Sequence, residues 1–174
     1  MREWVLIKVG EVPPEVVAFL LREIPEILPI HVSCVLSAEI PSWAYNSHRD
    51  QYRASNVLAY VSKFAKDCKA LGVMDIDLYE EGLNFVFGEA YCPGYAAIIS
   101  LFRLRPQFYG EEPDEKLFLE RALKEALHEM GHTYGLDHCP NRKCVMAFSN
   151  TIWDTDYKEA RYCRSCWREL ERRI

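Results

Sequence analysis

No stretch of this chain approaches the ~20 consecutive apolar residues that a bilayer-spanning helix needs, which excludes one. The opening MREWVLIKVGEVPPE carries a short apolar stretch but neither a secretory apolar core nor a small-residue cleavage site, so a cytoplasmic protein is expected. Basic charge is in deficit. Lys and Arg number 21 against 26 Asp and Glu, a formal net charge of −5, and no global positive field argues for nucleic acid. Internal repeats and low-complexity segments are also missing, which excludes a solenoid or a disordered tail. What remains is 174 residues, 49% of them hydrophobic, enough for one domain with a real core. Neither a partner subunit nor a membrane surface is suggested, and a monomer is expected.

Cysteine, by contrast, is plentiful. There are seven, an odd number that no complete disulfide framework can use. Four crowd the C-terminal region: Cys139, Cys144, Cys163 and Cys166. Cys34, Cys68 and Cys92 are scattered and read as small buried hydrophobes. His31 reads as packed within its strand and His48 as exposed.

Hydrophobic periodicity gives a coarse order of elements. Trp4–Val9 reads as a strand, Pro14–Glu23 as a helix with Val16, Val17, Leu20 and Leu21 on its apolar stripe, and His31–Leu36 as a second strand. Pro41–Arg53 has no clear period and reads as loop. Ala54–Leu71 reads as a helix stopped by Gly72, and Val73–Tyr79 as a third strand. Leu83–Phe87 and Tyr95–Phe102 read as two more strands, with a turn signal at Cys92-Pro93-Gly94 between them. The alternation predicts an α/β (α+β) fold, a largely parallel sheet with an antiparallel ribbon at its end. Asp114 opens a long helix reaching about Tyr134. Cys139–Asp154 should be irregular, and a final helix should run from about Asp154 to the C-terminus. A single domain over 1–174 is expected, with a sheet-and-helix part at 1–137 and a smaller part at 138–174.

The sharpest signal is His128-Glu-Met-Gly-His132-Thr-Tyr-Gly135-Leu-Asp-His138, the pattern H-E-x-x-H-x-x-G-x-x-H. Its five fixed positions arise by chance on the order of once in 10⁵ sequences of this length. On a helix, residues four apart share a face, so His128 and His132 aim at one metal ion. Glu129 is rotated about a quarter turn away. It is badly placed as a ligand but within reach of a water on that metal. Gly135 tolerates the left-handed conformation that ends a helix, letting His138 return to the same ion. Three imidazoles and one open position make the ligand count of a catalytic zinc.

Cys139-x4-Cys144-x18-Cys163-x2-Cys166 is close to the spacing of a four-cysteine zinc site. Four thiolates leave no open position, so such a zinc is structural. His138 and Cys139 are neighbours, and in extended chain their side chains point to opposite sides. Two zinc ions lying close together, with no shared ligand, are therefore expected. Met146 reads as core packing beneath the histidines and not as a ligand.

This run of motifs, from His128 to Cys166, resembles the archaemetzincins, compact zinc metallopeptidases of the metzincin clan. The resemblance implies a metzincin-like catalytic domain: a twisted mixed sheet packed with helices, a long active-site helix and a zinc-stapled C-terminal subdomain. It implies His128, His132 and His138 on a catalytic zinc, Glu129 as general base, Met146 in the Met-turn, and Cys139, Cys144, Cys163 and Cys166 on a structural zinc. The partner implied is a peptide or protein substrate. No upstream pro-segment is visible, so latency through an N-terminal cysteine is not expected. An exposed sheet edge would hold the substrate as an added strand, with Tyr95–Phe102 or Leu83–Phe87 as the candidate edge. The alternative is a catalytically silent metzincin-like module that binds peptide or protein, which the intact Glu129 argues against. A nucleic-acid-binding zinc module would rest on Arg161, Arg164, Arg168, Arg172 and Arg173, but Glu159, Glu169 and Glu171 interleave them as on a solvated helix face.

Overall fold

Strand β1 (Glu3–Val9) turns alternate side chains to two different cores in the computed structural model, which describes residues 1–174. Trp4 and Leu6 enter one core, and Val5, Ile7 and Val9 enter the other. Helix α1 (Pro14–Ile27) buries Val16, Val17, Leu20 and Ile24 in the first core, and its Pro14 sits in the first turn, where a missing N–H costs nothing. It crosses to β2 (His31–Ala38), which lies parallel to β1.

After a short 3₁₀ turn at Ser42–Ala44 come β3 (Tyr45–Asn46), β4 (Gln51–Arg53) and α2 (Ala54–Ser62). Helix α2 supplies Val57, Leu58 and Val61 to the second core. Strand β5 (Lys69–Met74) then pairs in parallel with β1. A two-residue strand, β6 (Leu78–Tyr79), joins β4 in a small separate sheet ordered β3-β4-β6. Strands β7 (Gly88–Ala90) and β8 (Ala96–Ser100) complete the main sheet, ordered β2-β1-β5-β8-β7. All its pairings are parallel except β7 with β8. Every residue of β5 and β8 is buried, as strands covered on both faces must be.

Helix α3 (Glu115–Thr133) packs over β8 and β7 on the first-core face. Asp114 caps it, its carboxylate accepting from Leu117 N–H at 3.0 Å. Two short helices follow, α4 (Ile152–Tyr157) and α5 (Arg164–Glu171). No helix is long and apolar enough to cross a membrane.

The mixed sheet and its antiparallel end match the expectation; several boundaries do not. The helix expected over Ala54–Leu71 ends at Ser62, because Ala70 and Leu71 are drawn into the buried sheet centre. Val73–Tyr79 is split between β5 and β6. Leu83–Phe87 is not a strand: only Val86 makes a bridge, to Leu78. Tyr95–Phe102 does contain β8, but β8 lies between β5 and β7 and offers no free edge. The single final helix is two. The chain between them pairs with the cysteine-rich segment, Glu159 N–H to Lys143 O and Val145 N–H to Arg161 O, both at 2.9 Å.

The scattered residues also differ. Cys34 and Cys92 are exposed and Cys68 is half-buried, so none is a fully buried hydrophobe. His31 is exposed and pairs with Glu3 at 3.0 Å, because β2 is the outermost strand and little covers it. His48 is exposed, as expected.

Candidate active site

The last three turns of α3 are buried except at His132, which is half-buried, and they carry His128, Glu129 and His132. His128 Nδ1 donates to Val145 O at 2.8 Å, and His132 Nδ1 donates to Leu136 O at 2.7 Å. These bonds commit the Nδ1 protons and leave both Nε2 atoms as lone-pair donors toward the cleft. The two Nε2 atoms face each other at 3.1 Å. Burial lowers the pKa of both rings, so a shared proton is disfavoured. A metal ion between them fits: tetrahedral zinc–nitrogen bonds of about 2.05 Å place neighbouring nitrogens about 3.3 Å apart.

His138 reaches the same point through a turn that the sequence encodes locally. Gly135 has φ +85°, and the N–H groups of Gly135 and Leu136 return to His132 O (2.7 Å) and Gly131 O (3.2 Å). That is the paired bonding of a Schellman helix end. Arg173, from beyond α5, donates to Gly135 O at 2.6 Å and Tyr134 O at 3.1 Å, fastening the turn. The three imidazoles come together, their candidate ligand atoms within 4.8 Å of one another.

Met146 is fully buried, with its sulfur against Gly131, where a Cβ would collide with it and crowd Tyr162. Gly131→Ala should therefore cost about 1–3 kcal/mol by overpacking, offset in part by alanine's helix advantage of ~1 kcal/mol. Thermal denaturation checks this; an undiminished melting temperature would mean that Met146 can withdraw.

Glu129 lies against β7. A Cβ on Gly88 would stand 2.8 Å from its Cγ and 2.9 Å from Oε1, so the bare glycine is what admits the carboxylate. Burial pushes the Glu129 carboxyl well up, Glu125 adds to this, and Lys158 opposes it. Lys158 is completely buried, with Nζ 3.5 Å from Glu125 Oε1 and donating to Ala147 O at 3.2 Å. Thr155 Oγ1 donates to the same Glu125 oxygen at 2.9 Å.

The four C-terminal cysteines form a second group that shares no residue with the histidines. Cys139 and Cys163 sulfurs are 3.8 Å apart, about the spacing that four 2.3 Å zinc–sulfur bonds impose. Cys144 Sγ accepts from Met146 N–H (3.4 Å) and Cys163 N–H (3.3 Å), bonds that favour a thiolate against the burial that raises its pKa. Burial opposes ionisation of Cys163, but the Cys166 N–H and neighbouring thiols bring it down to about 7.

An open cleft of about 620 Å³ runs over the histidines. Residues 82–90 form one wall and Phe148–Asn150 the other, with Glu125, Glu129 and the triad at its floor. The sequence profile of peptidase family M54 matches residues 20–172. The chain belongs to peptidase family M54. It is a zinc metallopeptidase, as membership of that family implies. The archaemetzincin of Pyrococcus furiosus is 49% identical over 184 aligned residues, covering 100% of this chain and 95% of that one. The crystal structure of an archaemetzincin from Methanopyrus kandleri superposes with TM-score 0.88 at 38% identity, covering 98% of this chain and 94% of that chain. A zinc-dependent peptidase from Methanocorpusculum labreanum also gives 0.88, at 30% identity, covering 96% of this chain and 99% of that chain.

In this M54 chain, sequence reasoning missed the groups that orient the site. The carbonyls of Val145 and Leu136 could not be read, since any residue supplies a main-chain oxygen. Gly131 did leave a signal, a glycine inside a helical run, and Gly88 follows directly on a strand-like one. Arg173 was read as part of a solvated face; it caps the active helix instead.

Proposed function

We propose that this M54 peptidase hydrolyses peptide bonds at the His128, His132 and His138 centre, with Glu129 as general base. The supporting observation is the free Nε2 atoms of His128 and His132 converging with the His138 ring beside a buried carboxylate on the floor of an open cleft. Zinc held there supplies Lewis acidity, polarising a carbonyl and lowering the pKa of water. Glu129 accepts a proton from the attacking water and returns it to the leaving amine as the C–N bond breaks. Val145 O and Leu136 O hold His128 and His132 in the ligating tautomer. Met146 plays the part of the metzincin Met-turn, a packed floor under the histidine helix. Cys139, Cys144, Cys163 and Cys166 hold a second, structural zinc, making two per chain in a single cytoplasmic, monomeric domain.

Substrate enters as an extended strand along β7, the free edge of the main sheet beside the cleft. This replaces both edges expected from the sequence. A peptide library incubated with zinc-loaded protein and read by mass spectrometry tests the reading. Discrete cuts are expected. No cut in any sequence would overturn it and leave a peptide-binding module.

A further inference from the structure

The cleft wall at residues 82–87 has almost no regular structure of its own. Within it, Val86 alone joins a ladder, through its bridge to Leu78. The wall is held from behind by a polar frame. Arg49, on the turn between β3 and β4, donates through Nη2 to Leu83 O at 2.7 Å and Asn84 O at 3.2 Å. Its Nε donates to Gln51 Oε1 at 3.0 Å, and its guanidinium lies 4.0 Å over the Tyr79 ring. Gln51 Nε2 donates to Asn84 O at 2.9 Å and to Asp77 Oδ2 at 3.1 Å. Asp77 accepts a bidentate pair from Arg103, at 2.7 and 2.8 Å, and Arg103 covers the Phe85 ring at 4.5 Å. The frame thus meets the wall at Leu83, Asn84 and Phe85.

Arg49 is the unusual member. It is exposed and pairs with no carboxylate, yet it spends its fork on main-chain carbonyls. Its own turn is braced by hydrogen bonds. Asp50 takes a left-handed φ of 53°, and its carboxylate accepts from the Tyr45 hydroxyl at 2.7 Å. Arg49 N–H returns to Asn46 O at 3.2 Å. A fixed guanidinium on a fixed turn defines where Leu83 stands, and Leu83 is a large apolar side chain left exposed in the cleft lining.

We propose that Arg49 is a positioning residue for substrate. It holds the Leu83–Asn84 segment so that a peptide in the cleft meets a preformed wall and does not have to order one. The inference rests on the reading of this cleft as the peptide site. The wall lies beside the reacting centre and supplies none of its histidines, so ground state and transition state gain equally from it. Losing it raises KM and spares kcat.

The test compares the full-length zinc-loaded protein with Arg49→Ala and Arg49→Lys. For Arg49→Ala, KM for a library-derived peptide should rise about tenfold, the scale of one lost charge-assisted hydrogen bond. kcat should stay within about twofold, and zinc content should not change. Amide exchange across residues 82–87 should speed up. Arg49→Lys should fall between, since an ammonium lacks the planar fork. An unchanged KM, or a fall in kcat at constant KM, would overturn the proposal. Binding of a fluorescein-labelled library peptide is measured in parallel in the Glu129→Ala background, with and without Arg49→Ala. If the native protein cuts nothing but Arg49→Ala weakens this binding about tenfold, hydrolysis fails and the positioning role stands. If the labelled peptide binds equally to both, the positioning role fails whatever the cleavage result.

Discussion

Glu129→Ala protein is expected to keep its zinc, keep its fold and lose peptide hydrolysis. The general base contributes about 10²–10⁴-fold to reactions of this kind, so residual turnover should be at the detection limit. Glu129 stands outside the histidine group, and removing its carboxylate leaves the Nδ1 bonds of His128 and His132 untouched. Stability should change little, because burial disfavours the charged carboxylate and it forms no ion pair whose loss would be felt. Glu129→Gln, which preserves the side chain's shape but cannot accept the proton, should be as inactive as alanine. The measurements are steady-state cleavage, zinc content and melting temperature on the same preparations. A variant retaining more than about a tenth of native kcat would remove Glu129 from the proton-transfer step, and a variant stripped of zinc would make it a metal-site residue instead.

The second large effect is expected at the cysteines. Cys163→Ser should lose one zinc equivalent and release the segment that the four thiols gather. Structural zinc in small domains binds with about 10–16 kcal/mol of apparent free energy. The damage should also spread to the histidines. Cys144 is buried beside Val145, whose carbonyl orients His128, and beside Met146, which fills the space under Gly131. Cys139 N–H is bonded to Met146 O at 2.9 Å, tying the two groups together. The expected result is a lower melting temperature, rapid amide exchange over 139–166 and weakened zinc at the second site. Full zinc content with an unchanged melting temperature would show that the cysteines are only packed thiols.

How much of this was legible depended on how local each feature is. The histidine spacing was readable because helix geometry converts a four-residue interval into a shared face. Gly135 was readable because its left-handed φ is a property of one residue and its two neighbours. The strand order was partly readable from alternation, but the edge was not. The apolar runs Tyr95–Phe102 and Leu83–Phe87 look alike in sequence, yet one holds a central strand and the other only a bridge. A free edge is defined by what fails to pair with it, which periodicity does not record.

Sequence alone was enough to locate the candidate groups of this M54 peptidase: three histidines on a helix and its return, one carboxylate beside them, and four thiols at metal-site spacing. Each follows from short-range geometry, where covalent connectivity dictates distance. Tertiary structure alone decided how those groups are aimed and what surrounds them. The carbonyls of Val145 and Leu136 select the imidazole tautomers, Gly88 makes room for Glu129, and Arg173 closes the helix end. Arg49 reaches the wall across more than thirty residues of chain. These are contacts between segments distant in sequence, and burial and hydrogen-bond completion across the folded chain brought them together.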